Sequence, residues 1–234
     1  MKSIAIIPAR GGSKRIPRKN IKPFLERPII SYVIQTALES GCFDVVMVST
    51  DDEEIADIAR THGAEVPFMR SAENSTDQAI TLYAIREAIE GYRKIGQEFD
   101  LLSCIYPTAV LTRPESLRDG KARLIEDPDV LCVLPMVRYS YPIQRAVYEK
   151  DGRIHMFQPE HCLTRSQDLI KSYHDAGQWY WMRTPAISAP DFKIIWTSSA
   201  PVIVDEMEVQ DIDDESDWSM AELKYRLLNE KQPH

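Results

Sequence analysis

The chain is poor in cysteine and in residues patterned to bind a transition metal. Its 234 residues contain four cysteines without a C-x-x-C pair, and five histidines without metal-ligand spacing. These absences argue against a disulfide framework and against a zinc site. Cys104 and Cys132 lie in apolar runs, where a small buried side chain is expected rather than a nucleophile. We therefore expect free thiols in a reducing compartment.

The chain also lacks a long hydrophobic run and an excess of positive charge. No apolar run is long enough to span a bilayer, and the first residues contain no apolar segment of signal-peptide length. The formal net charge of −8 argues against a nucleic-acid-binding surface, and 44% hydrophobic residues are ordinary for a globular domain. We expect one cytoplasmic domain over residues 1–234, with neither nucleic acid nor membrane as partner.

The segment from Pro8 to Asn20 concentrates glycines and cations where an apolar run ends, although it matches neither the P-loop nor the G-x-G-x-x-G signature. Gly11 and Gly12 permit unusual backbone conformations and close approach of main-chain N–H groups to an anion. A solvated surface loop is the alternative. Five cations in an acidic protein favour a clamp for a small polyphosphate instead. They are Arg10, Lys14, Arg15, Arg18 and Lys19.

Alternating strand and helix patterns predict an α/β domain. Short apolar runs predict buried parallel strands at residues 3–7, 45–48, 101–105 and 130–134. Apolar residues at helical spacing predict helices at residues 29–38, 55–59 and 79–95, the second of them with an acidic, capped first turn at residues 51–54. In such domains ligands bind outside the carboxyl ends of the strands. The cationic loop, residues 49–51 and residues 106–108 are therefore expected to line one crevice.

The pattern changes over residues 136–190, where proline, aromatic and polar residues accumulate and the alternation is lost. This segment is interpreted as an insertion that forms a substrate lid or a dimer contact. Strands are predicted to resume at residues 192–196 and 201–204, followed by a last helix at residues 216–228.

A carboxylate cluster follows the last predicted strand. Asp211 and Asp213 point to the same side if the segment is extended, and two hard oxygen ligands facing phosphates are a common way to hold Mg²⁺. For the acidic residues at 214, 215 and 217, the start of a solvated helix is the preferred interpretation. A magnesium nucleotide needs charges of both signs in one site, and this chain offers both.

The run from Ile7 to Asn20, together with Ser49-Thr-Asp51 and Asp211-Ile-Asp213, resembles the CMP-sugar synthetases, which activate nine-carbon and related 2-keto sugar acids with CTP. The resemblance covers nearly the whole chain. It implies a Rossmann-like nucleotidyltransferase fold (GT-A-like), with a mostly parallel sheet, helices on both faces, and an insertion that reaches across a homodimer. It also implies Mg²⁺-dependent transfer of CMP to the anomeric hydroxyl of the sugar acid, for the synthesis of a surface glycan.

The resemblance also assigns roles to individual residues. Arg10 and Lys19 are expected to face the phosphates and to act in catalysis with Asp211 and Asp213, the Mg²⁺ ligands. The CTP-binding residues are expected to be Ala9, Arg10, Gly11, Gly12, Ser13, Lys19, Asn20, Arg70, Ser75 and Asp77. The candidate sugar contacts are Tyr106, Gln178, Tyr180, Arg145 and Arg165.

Two positions bear on which sugar acid is activated. Sialic acid synthetases commonly have Gln where this chain has Tyr106, and an Arg-Pro-Asn-Gly run where it has His174-Asp-Ala-Gly177. Both differences favour pseudaminate over N-acetylneuraminate. The alternatives are activation of N-acetylneuraminate, legionaminate or 3-deoxy-manno-octulosonate, and, more remotely, a CTP-binding regulator without catalysis.

Overall fold

The computed structural model of the chain describes residues 1–76 and 80–230. The helices of this part are α1 (Ile29–Glu39), α2 (Glu53–Thr61), α3 (Thr81–Lys94), α4 (Pro114–Glu126) and α5 (Glu215–Glu230). The strands are β1 (Ser3–Pro8), β2 (Pro23–Phe24), β3 (Arg27–Pro28), β4 (Val45–Ser49), β5 (Leu101–Ile105), β6 (Cys132–Arg138), β7 (Val147–Lys150), β8 (Arg153–Met156), β9 (Tyr173–Asp175), β10 (Trp179–Arg183) and β11 (Ser199–Ile203).

A mostly parallel sheet forms the centre of the molecule. Its strand order is β11-β6-β10-β5-β1-β4, and β9 pairs with the end of β6. β1 runs parallel to β4 and β5, and β11 runs parallel to β6, whereas β10 is antiparallel to both of its neighbours. The predicted parallel strands β1, β4, β5 and β6 are confirmed, the last of them beginning at Cys132 instead of residue 130.

Helices cover both faces of this sheet, as predicted. Successive residues of a strand point to opposite faces, so Ala5 and Ile7 of β1 belong to one core cluster and Ile4 and Ile6 to the other. The first cluster includes buried residues of α1, α2, α4 and α5, and the second is covered by α3.

The predicted helices α1, α2, α3 and α5 are confirmed, and each of their described ends lies within two residues of the predicted end. α2 begins as its sequence indicates, because the Asp52 carboxylate accepts a hydrogen bond from the Ile55 N–H at 3.0 Å. The predicted start of α3 at Ala79 lies outside the described residues. None of the predicted helices corresponds to α4.

Strand β10 corrects the interpretation of the aromatic run Trp179-Tyr-Trp181 as part of a lid or a dimer contact. Both tryptophans are fully buried, between β5 and β6 and under α4. The Trp179 Nε1–H donates to Ser116 Oγ and the Trp181 Nε1–H to the Leu117 carbonyl, each at 2.9 Å. The aromatic residues here build the sheet core and bind it to α4.

Residues 192–196 were predicted as a strand, and this prediction is wrong. They form bends and turns whose Ile195 and Trp196 side chains are exposed, and β11 begins only at Ser199. The Ser199 hydroxyl donates to the Ile194 carbonyl and accepts from the Trp196 N–H, so it closes a turn that leads into the strand. β11 itself covers most of the predicted strand at residues 201–204.

Residues 139–172, here called the arm, lie between β6 and β9 and outside the central sheet. The arm contains the antiparallel hairpin of β7 and β8. Thus residues 136–138, 173–175 and 179–183 of the predicted insertion are strands of the main sheet, and the division into domain and insertion stays a prediction. In the part of the chain that the structure describes, no helix is both long and apolar enough to cross a membrane.

The cysteines expected to be inert are buried. Cys104 and Cys132 are fully enclosed, and burial raises the pKa of each thiol to about 12. Both thiols are therefore protonated at neutral pH and act as small apolar side chains.

Candidate functional site

A cleft of about 550 Å³ opens at the carboxyl edge of the sheet, where β1 and β5 end. The loop after β1, the segment before α3 and the loop after β5 form its walls, so two of the three predicted strand ends meet there. Residues 49–51, also expected to line the crevice, are not among its lining residues. The lining residues are Pro8, Arg10, Ser13, Lys14, Arg15, Lys19, Asn20, Arg70, Asn74, Thr76, Ile80, Thr81, Ala84, Tyr106, Pro107, Thr108 and Asp211.

The loop after β1, residues 9–22, is here called the basic loop. It is held by hydrogen bonds at both ends: the Ala9 N–H donates to the Ser49 carbonyl at 2.9 Å, and Asn20 Nδ2 donates to the Arg10 carbonyl at 2.9 Å. Ile16, at its middle, is fully buried. These anchors fix the loop's backbone, so that its charged side chains are presented to the cleft from a defined frame.

The two glycines act differently from the prediction. Neither adopts a positive φ, and the left-handed residue of the loop is Arg18, with φ 56°. Gly11 is required by close packing, because a Cβ there would lie 2.7 Å from Asp52 Oδ2, and its N–H donates to Asp51 Oδ1 at 3.0 Å. A Cβ at Gly12 would meet open space.

Four of the five predicted cations line the cleft, namely Arg10, Lys14, Arg15 and Lys19. Arg18 does not. Its guanidinium binds the carboxylates of Asp52 and Glu54 at the start of α2. The side chain therefore ties the loop to α2, and the predicted clamp of five cations is corrected to four.

The predicted carboxylates meet the basic loop at the cleft wall. Asp211 lines the cleft, and Ile212 is fully buried, which turns the side chains on both sides of it away from the core. Lys19 Nζ donates to the Ile212 carbonyl at 2.7 Å, and Arg15 Nη1 lies 2.6 Å from Asp213 Oδ2. Residues from opposite ends of the sequence thus form one charged wall.

The charges in this wall influence each other. Loss of hydration and then the Asp213 charge raise the pKa of Asp211, so the carboxylates repel each other. Burial lowers the pKa of Lys19, and the charges of Asp213 and Asp211 oppose that shift. A cation shared by the two carboxylates would relieve their repulsion.

The carboxylate pair fits a hard divalent cation that is completed by a ligand. Within residues 1–76 and 80–230, no group of three or more His, Cys, Asp or Glu residues is arranged to hold a metal ion. Mg²⁺ is typically bound through one or two carboxylates, with phosphate oxygens and water as its other ligands. The donor set of Asp211 and Asp213 beside cationic side chains matches that requirement.

Arg70 lies at another wall of the cleft and is almost completely buried. Its Nε donates to Ser49 Oγ at 3.0 Å, and its Nη2 donates to the Ser49 carbonyl. Burial lowers the pKa of this guanidinium, while the charges of Asp51 and Glu87 oppose the shift. A buried cation bound to neutral oxygens at a cleft surface is well suited to receive an anionic or polar ligand group.

The segment after Arg70 contributes residues that differ in part from those expected. Asn74 and Thr76 line the cleft, whereas Ser75, between them, donates its hydroxyl to the Ser71 carbonyl at 2.8 Å. Asp77, also expected to bind CTP, lies outside the described residues.

The candidate sugar contacts separate into two groups. Tyr106 lines the cleft, and Gln178 and Tyr180 are buried behind it. Gln178 Nε2 donates to the Glu208 carbonyl at 2.5 Å, and the Tyr180 hydroxyl donates to Asp175 Oδ2 at 2.6 Å. Of these three residues, only Tyr106 lines the cleft.

Arg145 and Arg165 do not line the cleft of their own chain. Both are exposed residues of the arm, and Arg165 Nε pairs with Asp168 Oδ2 at 2.9 Å. The structure brings neither of them together with Arg10, Lys19 and Asp211.

Sequence reasoning missed Asn74 and Thr81, and it assigned no individual role to Asp175. Asn74 and Thr81 line the cleft, and Asp175 binds Tyr180. The signal for Thr81 was its place near the start of the helix predicted at residues 79–95, because helix N-termini commonly meet anionic ligands. Asp175 lies in the run His174-Asp-Ala-Gly177, which the sequence analysis connects with the choice of sugar acid, but its contact with Tyr180 is defined only by the folded sheet.

Comparisons with known proteins agree with this geometry. Residues 4–129 match the family described as cytidylyltransferase. The pseudaminic acid cytidylyltransferase of Campylobacter jejuni is 41% identical over 231 residues, which cover 98% of this chain and 99% of that protein. The CMP-N,N'-diacetyllegionaminic acid synthase of Legionella pneumophila is 36% identical over 50% of this chain and 51% of its own length.

A solved structure supports the fold. It is a CMP:2-keto-3-deoxy-manno-octonic acid synthetase complexed with CTP, with a TM-score of 0.71 and 16% identity, and the match covers 98% of this chain and 100% of that one. At this identity the likeness concerns the arrangement of strands and helices.

Proposed function

The chain belongs to the cytidylyltransferase family, and we propose that it transfers CMP from CTP to pseudaminic acid with release of pyrophosphate. The observation that carries this proposal is the cleft in which Arg10 and Lys19 lie beside Asp211, since a magnesium nucleotide requires both charges in one place. The choice of pseudaminate rests on the 41% identity, over nearly the whole chain, to an enzyme of that name.

The basic loop is proposed to bind the triphosphate of CTP. Arg10 and Lys19 would neutralise charge on the phosphates and on the departing pyrophosphate, which assists catalysis because that charge increases in the transition state. Ser13, Asn20 and the backbone of Gly12 would complete the phosphate and nucleotide contacts. Ala9 and Gly11, also expected to bind CTP, already use their N–H groups in bonds to the Ser49 carbonyl and to Asp51. Arg70 and the segment of Ser75 and Asp77 are proposed to bind the ribose and base.

Asp211 and Asp213 are proposed to hold Mg²⁺. The support is the position of Asp211 in the cleft, the pairing of Asp213 with the cleft residue Arg15, and the pKa of Asp211, which burial and then the charge of Asp213 raise. When bound, the ion would supply charge neutralisation and orientation of the phosphates. In the same wall, Lys19 is anchored to the Ile212 carbonyl and so keeps its ammonium group next to both carboxylates.

In the proposed reaction the anomeric 2-hydroxyl of the sugar acid attacks the α-phosphorus of CTP. A bond forms between that oxygen and phosphorus, and the bond from the α-phosphorus to the bridging oxygen of the β-phosphate breaks. The hydroxyl proton is lost to solvent or to a base, and pyrophosphate leaves with the bridging oxygen. The residues of the cleft contribute positioning and electrostatic stabilisation, which are the main sources of rate in such transfers.

The sugar acid is proposed to bind against Tyr106, with Gln178 and Tyr180 supporting it from behind. A homodimer is proposed as well, because the arm exposes large apolar side chains: Tyr141, Leu163 and Ile170 are each more than 80% exposed. In such a dimer the arm of one protomer would carry Arg145 and Arg165 towards the cleft of the other.

The test is magnesium-dependent pyrophosphate release from CTP with a panel of sugar acids: pseudaminate, N-acetylneuraminate, legionaminate and 3-deoxy-manno-octulosonate. We expect release with pseudaminate and its loss in the Asp211→Ala variant. Preference for another acid of the panel would keep the mechanism and overturn the substrate. Binding of CTP without turnover of any acid would instead support a non-catalytic regulator.

A further inference from the structure

A short turn precedes the carboxylates of the cleft. Glu206–Glu208 forms one turn of 3-10 helix after β11, here called the 206–208 turn, and Asp205 caps it because its Oδ1 accepts the Met207 N–H at 2.8 Å. Asp211 follows three residues after Glu208. A helix this short leaves carbonyl groups without partners of its own, so donors for them must come from other parts of the molecule.

Two side chains from distant elements supply these donors. Gln178, the residue before β10, donates its Nε2 to the Glu208 carbonyl at 2.5 Å. Lys224, on α5, donates its Nζ to the carbonyls of Glu206 at 3.0 Å and of Val209 at 2.7 Å. The central sheet and the last helix therefore both hold the 206–208 turn.

The contact at Glu208 is well enclosed. Gln178 is almost completely buried, and a buried amide that loses its partner destabilises the arrangement, so this hydrogen bond strongly favours one position of the Glu208 carbonyl. The Glu208 side chain is held as well, because its carboxylate forms an ion pair with the Arg113 guanidinium at the start of α4. Glu208 is thus fixed through both its main chain and its side chain.

The backbone on the other side of Asp211 is fixed too. Ile212 is fully buried, and its carbonyl accepts Lys19 Nζ at 2.7 Å. Asp211 therefore lies between two held carbonyls, that of Val209 on one side and that of Ile212 on the other. Its carboxylate enters the cleft from a backbone that is anchored at both ends.

Gln178 also holds the opposite wall of the cleft, through its main chain. The Gln178 carbonyl accepts the Tyr106 N–H at 2.8 Å, and Tyr106 lines the cleft after β5. One residue thus joins the wall of Tyr106 to the segment of Asp211. A substitution of the Gln178 side chain removes the donor to Glu208 and leaves the main-chain bond to Tyr106 available, so the two connections can be tested separately.

We propose that Gln178 and Lys224 are positioning residues for the metal ion: they hold the 206–208 turn so that Asp211 and Asp213 meet a divalent cation on the phosphates of CTP. The inference rests on the proposed function, because it concerns the Mg²⁺ of that reaction. Neither side chain lines the cleft. Both act through the backbone, and groups that orient metal ligands in this way typically change metal affinity by about 10- to 100-fold when they are removed.

Gln178→Met and Lys224→Met test the proposal, since each removes the donors and keeps most of the side-chain volume. Mn²⁺ paramagnetic resonance measures the dissociation constant of Mn²⁺ from the CTP complex without sugar acid, and calorimetry measures CTP affinity in EDTA. We expect the Mn²⁺ constant to rise about tenfold in each variant, with CTP affinity in EDTA unchanged. The Mg²⁺ concentration for half-maximal turnover should rise in parallel, and the KM for the sugar acid should not.

Two controls match these variants. Ser40→Ala removes another buried side-chain donor to a main-chain carbonyl, that of Ala37 at 2.6 Å, and Lys94→Met removes an exposed lysine of α3. Both should leave the Mn²⁺ constant unchanged. If Gln178→Met does not fold, Lys224→Met decides the outcome.

Three results would overturn the inference: an unchanged Mn²⁺ constant, an equal loss of CTP affinity in EDTA, which indicates a general structural role, or a rise in the sugar KM alone, which indicates a sugar contact. The proposed metal site is judged separately. It fails if the native chain binds Mn²⁺ no more tightly than Asp211→Ala does, and the inference then fails with it. If the native chain binds Mn²⁺ more tightly and the two variants do so equally well, the metal site stands and the inference alone is wrong.

Discussion

Arg15 and Asp213 form an ion pair that joins the basic loop to the carboxylates of the cleft, with Arg15 Nη1 2.6 Å from Asp213 Oδ2. The side chains are 68% and 46% exposed, so water and salt screen their attraction. Pairs of this kind contribute at most about 1 kcal/mol. A divalent cation or a triphosphate can therefore break this pair, and the same arginine then becomes available to the phosphates.

This relationship predicts that Arg15→Ala increases the affinity of the nucleotide-free protein for a divalent cation. The gain should be a few-fold, since removing a competitor of about 1 kcal/mol changes a dissociation constant by about fivefold. Calorimetry or Mn²⁺ paramagnetic resonance measures it, with Arg60→Ala, which breaks an exposed pair with Asp57, as control. The affinity for CTP should fall in Arg15→Ala and stay unchanged in the control. A weaker affinity of Arg15→Ala for the metal ion would contradict the idea that Arg15 competes with it for Asp213.

Asp211 and Asp214 are neighbours with opposite expected roles. Asp211→Asn should abolish pyrophosphate release and leave the melting temperature unchanged, because its carboxylate faces the cleft. Asp214→Ala should retain activity and lower the melting temperature by a few degrees, because its carboxylate accepts the N–H groups of Ser216 and Asp217 at the start of α5. Thermal melts and turnover in parallel check both, and equal loss of activity in the two variants would contradict the assignment.

Arg70 is expected to contribute more to CTP binding than to the stability of the free protein. Its charge is buried and donates to neutral oxygens of Ser49, so the charge is incompletely compensated without a ligand. Arg70→Met, which keeps most of the volume, should weaken CTP binding at least about tenfold, a loss typical of a buried charged hydrogen bond. The measurement is the rise in melting temperature that CTP causes at one fixed concentration, which should be smaller in the variant than in the native chain. An unchanged rise would contradict a ligand contact.

Asp52 makes part of the stability depend on pH. The hydrogen bond from Arg18 lowers the pKa of Asp52 in the folded protein. A lowered folded pKa stabilises the protein above the unfolded value of about 4, and this contribution is lost as the pH falls through the folded pKa. Asp52→Asn should therefore be less stable than the native chain at pH 7, by about 0.5 to 1 kcal/mol for this partly exposed pair, and the gap should close in acid.

Urea unfolding at several pH values between 7 and 2 measures this gap. Arg18→Gln, which removes the other partner and keeps Asp52 as the cap of α2, should show a gap that closes over the same pH interval. A difference that stays constant with pH would mean that the substitution acts through packing or through the cap.

The sequence predicted the parallel strands because each of them is buried on both faces. The runs at residues 3–7, 45–48 and 101–105 are apolar without alternation, and this composition is required when helices cover the sheet on both sides. The cap of α2 was also predictable, because an aspartate followed by acidic residues is a local signal. The sequence also predicted that Lys19 and the Asp211–Asp213 pair share one site, because cations follow the first strand and carboxylates follow the last. They do lie together, although 193 residues separate Lys19 from Ile212.

The parts that were missed depend on contacts between distant segments. β10 is a central strand only because β5 and β6 pair with it from both sides, and its aromatic composition suits a surface lid equally well. The hydrogen bond between Tyr180 and Asp175 depends on the turn at Gly177, which brings Asp175 back to β10. Neither contact produces a hydrophobic period or a motif spacing that could be recognised in the sequence.

Helix α4 was missed because its buried face carries only two large apolar residues. Its buried positions are Ser116, Leu117, Gly120 and Leu124, too few apolar residues for a clear helical period. The bulk that a helix usually supplies comes instead from the sheet, where Trp179 and Trp181 fill the space.

Gly120→Ala tests this packing. A Cβ at residue 120 would lie 2.5 Å from Trp179 and 2.7 Å from Trp181, so one of the fully buried rings or the helix would have to move. Helix propensity alone favours alanine by about 1 kcal/mol, whereas overpacking a rigid core costs about 1–3 kcal/mol or more. We expect the clash to outweigh propensity and the melting temperature to fall by several degrees, while Asp119→Ala on the exposed face of the same helix leaves it nearly unchanged. A more stable Gly120→Ala protein would show that α4 is free to move away from the tryptophans, and that the fit between helix and strand is looser than these distances require.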